Sequence, residues 1–235
     1  DAGNYSIGNQ TTTANITAKA LTLSGLTANN KVYDGGTVAT ISSYGSLSGI
    51  ETGDTVTLNS SSADPDFDNK NVGTDKDVTV QSLALAGTDA GNYSIGNQTT
   101  TANITAKSIS SLTLSASNKT YDGNTTASVS VSSSDIVAGD TVTFSNSAVF
   151  NTRHVATGKA VTVSSISISG GTDSGNYTLA TTTGSTTADV TQLASVTWNG
   201  NAGDGLWSSA SNWVGSALPD QSNVAAVVIS SGQSV

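Results

Sequence analysis

Nineteen residues of this chain occur twice without change. Asp1–Lys19 reads DAGNYSIGNQTTTANITAK, and Asp89–Lys107 reads the same, at an offset of 88 residues. A looser third copy, DSGNYTLATTTGSTTADVT, begins at Asp173. Other landmarks keep step: NKVYDG from Asn30 with NKTYDG from Asn118, GDTVTL from Gly53 with GDTVTF from Gly139, and FDNKNVGTDKDVTV from Phe67 with FNTRHVATGKAVTV from Phe150. Self-similarity over tens of residues means that one supersecondary unit is built again, so any fold given to one copy must suit the other. The copies define two full modules, Ala20–Lys107 and Ser108–Gln192. Residues 1–19 read as the last strand segment of a preceding repeat. Residues 193–235 read as the Trp-rich start of a different, truncated β module.

Within a module the apolar period is two. Leu21 and Leu23, Val56 and Leu58, and Ala102 and Ile104 alternate with polar neighbours, and so do their counterparts in the second module. Asp34-Gly35, Gly53-Asp54, Gly91-Asn92 and Gly175-Asn176 separate the runs as turns. Six or seven short strands per module are expected, with one exception in Ser46–Thr52, which has the look of a helical turn. Val78 and Val80 alternate, but Leu83 and Leu85 continue at the other parity; Val161, Val163, Ile166 and Ile168 repeat the slip. A period of two cannot absorb an odd shift without moving the apolar set to the other face. A β-bulge or a change of sheet is therefore expected at Gln81-Ser82 and Ser164-Ser165. The reading is all-β: tandem antiparallel β-sandwich modules, immunoglobulin-like, placed end to end as an elongated rod, with β-grasp-like modules as the alternative. Composition agrees, since Thr, Ser, Val, Gly and Asn dominate and Glu51 is the lone glutamate.

The junctions carry a second expectation. Ile16-Thr-Ala-Lys-Ala-Leu-Thr-Leu and Ile104-Thr-Ala-Lys-Ser-Ile pass from one module to the next with no Gly/Ser-rich or Pro-rich tether. Modules joined without slack make a stiff spacer. The net charge of −9 with 8 Lys plus Arg argues against nucleic acid and anionic membranes. No apolar run reaches the ~18 residues of a membrane span. Without cysteine there is no disulfide, thiolate nucleophile or Cys-based metal site.

The ordered set NK-x-YDG, GD-x-V-T, VTV, GNY and A-x-(I/V)-T resembles the YDG-type (MBG-like) repeats of large secreted bacterial adhesins of the filamentous-haemagglutinin, two-partner-secretion kind, which also serve in biofilm matrices. The resemblance spans roughly Asp1–Gln192. It implies an extracellular or cell-surface fibre whose repeats act as a stalk. Partners would be polysaccharide or other cell-surface molecules and neighbouring copies of the fibre. It carries over no ligand and no cofactor. The Trp-rich stretch from Thr197 resembles entry segments of other bacterial surface proteins.

Candidate chemistry is sparse. His154 is the only histidine and stands where the first module has Asn71, so the repeat does not require an imidazole and no enzyme is expected. Asp64, Asp66, Asp68 and Asp75 fall at positions 1, 3, 5 and 12 of a calcium-loop frame. Asn69 occupies the glycine position, however, and the second module has no matching carboxylates, so a solvated strand-edge loop is the preferred reading. Tyr33-Asp34-Gly35 and Tyr121-Asp122-Gly123 form a signature, read as a structural device in which a buried Tyr bonds backbone ahead of a tight turn. Tyr93 and Tyr177 are read likewise. Trp198, Trp207 and Trp213 suit stacking on sugar rings, which makes a carbohydrate-binding module the alternative function; filling a core is the preferred role. Sequons at Asn4, Asn15, Asn92, Asn103, Asn118, Asn124 and Asn176 permit glycosylation.

Overall fold

A computed structural model describes residues 1–232. The chain folds as two compact units. The first holds residues 1–32 and 36–105; the second holds Tyr33–Gly35 and the described residues from Ala106 on.

The first unit opens with β1 (Lys19–Ser24), β2 (Thr27–Ala28) and β3 (Lys31–Val32), followed by β4 (Ile41–Ser43) and β5 (Ser46–Ser48). Its middle is β6 (Thr57–Asn59), β7 (Asp64–Phe67), β8 (Gly73–Gln81) and β9 (Ala84–Ala86), and β10 (Tyr93–Ile95) and β11 (Gln98–Thr105) close it. The strands are shorter and more numerous than the six or seven expected. Ser46–Ser48 is a strand antiparallel to β1 instead of a helical turn, because Leu47 opposite Leu23 joins the small core of Leu21, Val56 and Tyr93.

The second unit repeats the plan with β12 (Lys107–Ile109), β13 (Thr113–Ala116), β14 (Lys119–Thr120), β15 (Val129–Ser132), β16 (Thr143–Phe150), β17 (Ala156–Gly170), β18 (Tyr177–Leu179) and β19 (Gly184–Thr191). The main sheets run in the orders β3-β11-β8-β7 and β14-β19-β17-β16, the same arrangement twice. The protein is all-β. Pairing is not purely antiparallel, however. β1 with β10, β3 with β11, β12 with β18, and β14 with β19 are all parallel. Parallel partners need a long crossover, and here the body of each repeat supplies it by joining an opening strand to a closing one.

The parity slip takes two forms. In the first unit Ser82 adopts a left-handed backbone (φ 56°), β8 ends, and the chain leaves for another sheet, where β9 pairs β6. In the second unit Ser165 has φ 53° and the single long strand β17 carries a register shift against Ser145–Ser147 of β16. Val161, Val163 and Ile166 thereby stay on the buried side, each at most 1% exposed. At about 1.5–3 kcal/mol per buried branched side chain, keeping three of them inside outweighs one strained serine.

The segment after Thr191 does not form a separate body. β20 (Val196–Trp198) and β21 (Val227–Ile229) pair with each other, while Val196, Trp198, Trp213 and Ala217 share one core with Val161, Val163, Ile166 and Tyr121. Residues 5–18 have no regular structure and are exposed.

Candidate functional site

Each residue of the Asn-Lys-x-Tyr-Asp-Gly signature has a mechanical task. Asn30 Oδ1 accepts the backbone N–H of Asn103 at 2.7 Å, and Asn118 Oδ1 accepts that of Asp189 at 2.7 Å, which pins each opening strand to the closing one. Lys31 Nζ donates to the carbonyls of Gly36 (3.1 Å) and Val38 (3.0 Å), and Lys119 Nζ to those of Asn124 (3.2 Å) and Thr126 (3.0 Å). The ammonium thus closes the loop after the turn. Asp122 accepts the N–H of Asn124 at 3.1 Å and pairs with Lys119 at 2.7 Å.

The tyrosines are aimed away from their own turns. Within the second unit, Tyr33 is 2% exposed and its hydroxyl donates to Asp140 Oδ2 at 2.7 Å. Tyr177 donates to the same oxygen at 2.6 Å and itself accepts the N–H of Val137 at 2.9 Å. The two rings meet edge to face, with centroids 5.4 Å apart, a favourable arrangement. The result is a relay from amide to hydroxyl to carboxylate, in which each bond polarises the next. Burial, and next the bond to Asp140, push the Tyr177 phenol up to about 12.

Gly35 has φ 85°, and a Cβ there would stand 2.8 Å from Val137 Cγ1. Only glycine serves both the left-handed turn and this close approach. Gly123 (φ 81°) is equally constrained, with the Ser216 carbonyl in the way of any Cβ.

Tyr121, 1% exposed, donates to the Leu218 carbonyl at 2.8 Å and lies 3.4 Å from Asp220 Oδ1. Arg153 and Asn223 also bond Asp220. Burial works to raise the Asp220 carboxyl, but the Arg153 and Asn223 bonds outweigh it and hold it below its ordinary value. Burial, with Asp220 next, raises the Tyr121 phenol. Both signature tyrosines therefore deliver a hydroxyl toward an aspartate about a hundred residues further on. The expected bond to backbone is made by Tyr121 as donor and by Tyr93 and Tyr177 as acceptors.

Sequence reasoning did not single out Asp140 or Asp220. The signal for Asp140 was present, because Gly-Asp-x-Val-Thr recurs at Asp54. The first unit has the same relay: Glu51 N–H to Tyr93 hydroxyl at 3.0 Å, and Tyr93 hydroxyl to Asp54 Oδ2 at 2.6 Å. Asp54, unlike Asp140, is exposed.

The four aspartates of the calcium frame do not converge. Asp64 and Asp66 lie along extended β7, where alternate residues stand some 6–7 Å apart. Asp66 accepts the Thr37 hydroxyl at 3.0 Å, Asp68 pairs with Lys76 at 2.7 Å, and Asp75 sits at a left-handed irregularity within β8 (φ 49°) with its N–H on Asn103. Among the described residues no group of three His, Cys, Asp or Glu is placed to hold a metal.

The tryptophans do cluster. Trp213 is edge-on to Trp198 at 4.9 Å and to Trp207 at 4.6 Å, and its Nε1 donates to the Trp207 carbonyl at 2.9 Å. Trp198 and Trp213 are 2% and 1% exposed and offer no face to a sugar; Trp207, 46% exposed, offers part of one. His154 Nδ1 lies 2.9 Å from Asn223 Nδ2 and 3.9 Å from Asp220, inside the Tyr121 cluster.

The repeat landmarks match the family model described as the YDG domain, over residues 17–102 and again over 105–184. The chain belongs to the YDG domain family. β11 runs three residues past the first matched segment, and β19 begins where the second one ends. No curated protein and no solved structure matches the chain. Among the described residues no helix is long and apolar enough to cross a membrane.

Proposed function

We propose that these YDG repeats are structural stalk repeats of a secreted bacterial surface adhesin or biofilm-matrix fibre, serving as a stiff spacer in cell adhesion or aggregation. The observation that carries the reading is the tandem recurrence of one YDG unit with no flexible sequence at the junction: β11 ends at Thr105 and β12 begins at Lys107. A spacer needs reach and resistance to bending, and direct strand-to-strand succession supplies both more readily than a Gly/Ser linker would. The repeated signature supports the same reading, because its Asn, Lys, Asp and Gly serve turns and strand pinning.

Small-angle scattering of the chain tests this. One compact body of this length has a radius of gyration of about 18 Å. A spacer gives a value well above that, with a single elongated form persisting across temperature. A compact particle, or the broad distribution of a free hinge, would end the proposal.

A further inference from the structure

We infer that the Asp54–Tyr93 face of the first unit is a receptor for the Tyr-Asp-Gly turn of another copy of this repeat. The second unit shows what such a receptor looks like when filled. There Tyr33 sits edge-on to Tyr177, gives its hydroxyl to Asp140, and lets Gly35 lie on Val137. Sequence register maps Asp54 onto Asp140, Tyr93 onto Tyr177 and Glu51 onto Val137. The local relay is already assembled: the Glu51 N–H and the Asp54 carboxylate hold the Tyr93 hydroxyl as Val137 and Asp140 hold that of Tyr177. The flanking bond recurs too, with Thr55 N–H on Asp89 at 2.8 Å matching Thr141 N–H on Asp173 at 2.9 Å.

What differs is the cover. Among the described residues the Asp54 carboxylate receives one hydroxyl where Asp140 receives two. Asp54 is exposed and Asp140 half-buried. The two rings are similarly buried, Tyr93 at 7% and Tyr177 at 5% exposed, so the contrast lies at the carboxylate. Glu51, in place of the apolar Val137, turns to an exposed ion pair with Lys19. A carboxylate beside an aromatic edge, at the floor of a site that accepts a left-handed glycine turn, selects a Tyr-Asp-Gly hook over an apolar or acidic segment. The chain itself holds two such hooks, so the occupant is a copy of the same repeat.

The inference stands on geometry and is independent of the spacer reading. Asp1–Lys19 duplicates Asp89–Lys107, so placing residues 20–88 ahead of Asp1 gives a three-repeat chain. In it a new hook precedes Asp54 at nearly the spacing that separates Tyr33 from Asp140. Amide hydrogen exchange is compared in the two chains at Glu51 and Asp54–Val56. Filling the receptor slows exchange there at least tenfold, and Tyr→Ala in the added hook restores the original rates. Tyr33→Ala in the same three-repeat chain is the internal control, since it should speed exchange at Val137. Equal rates at Glu51 in both chains, with the Val137 control responding, overturn the inference. Scattering and exchange fail separately, so loss of the spacer reading would leave this result standing.

Discussion

Tyr33 lies in the first repeat by sequence and in the core of the second unit by structure, and this assignment can be tested energetically. Its hydroxyl makes a charge-assisted bond to Asp140, worth about 1.5–3 kcal/mol. Tyr33→Phe keeps the ring against Tyr177 and leaves Asp140 its second partner, so the loss should fall near the bottom of that range, about 1–2 kcal/mol. Asp140→Ala removes the acceptor of two hydroxyls, on residues that are 2% and 5% exposed. At about 1–3 kcal/mol for each unsatisfied group, it should cost roughly 2–5 kcal/mol. Tyr33→Ala empties an aromatic site and should cost about 3–5 kcal/mol. The double variant Tyr33→Phe/Asp140→Ala should be little worse than Asp140→Ala alone, which gives a coupling of about 1–2 kcal/mol.

The chain carries its own probe, because Trp198, Trp207 and Trp213 all belong to the second unit. Urea unfolding followed by tryptophan fluorescence therefore reports that unit alone. With a urea slope of about 1–3 kcal/mol per molar, Tyr33→Ala should lower the midpoint by a molar or more. A change below about 0.3 M, or strict additivity in the Phe/Ala cycle, would refute the claim that a tyrosine from before Ala106 is a working part of this core.

Four further outcomes follow from the same geometry. Gly123→Ala should destabilise the second unit by about 1–3 kcal/mol in the fluorescence assay, through left-handed strain and the Ser216 collision, whereas Gly175→Ala, which meets nothing within 4 Å, should change little. The Tyr177 phenol is raised from 10 to about 12 in the folded unit, so its contribution is complete below pH 10 and is lost as pH rises toward 12; the urea midpoint should fall across that window, less so in Tyr177→Phe. The Asp220 carboxyl is lowered, so its contribution is present above the ordinary value of 3.8 and disappears as acid carries pH below it, a loss that Asp220→Asn should remove from the acid titration. Ile166→Ala should cost about 2–5 kcal/mol as a core cavity, and Ser165→Val about 1–2 kcal/mol as a β-branched residue at positive φ, both read by urea melts.

The all-β class and the parity slip were legible because they are properties of side-chain alternation, which Val161, Val163 and Ile166 display in sequence as plainly as in the fold. The parallel pairs were not, since nothing in Lys31-Val32 says whether its partner runs with or against it. The role of Asp140 was hidden for a related reason. An aspartate after glycine is a turn residue on local evidence alone, and its two hydroxyl partners come from positions 33 and 177.

The duplicated nineteen residues isolate what local sequence lacks. Ile104 is 1% exposed and Ile16 fully exposed; Tyr93 is 7% exposed and Tyr5 83%. The letters are the same, the propensities are the same, and yet residues 93–95 and 98–105 form strands while residues 5–18 do not. Residues 93–95 pair with β1, and residues 98–105 lie between β3 and β8, so the second copy has three strands to complete. Residues 5–18 meet no such partners. The alternation in ANIT names the face that must be buried, but strand formation waits on a sheet edge of the right register, because a short strand alone cannot recover its conformational entropy. The same logic governs the hook. Tyr33 and Tyr121 are core residues because Asp140 and Asp220 are there to receive them, and an Asp54 still exposed is the place to look for the next tyrosine.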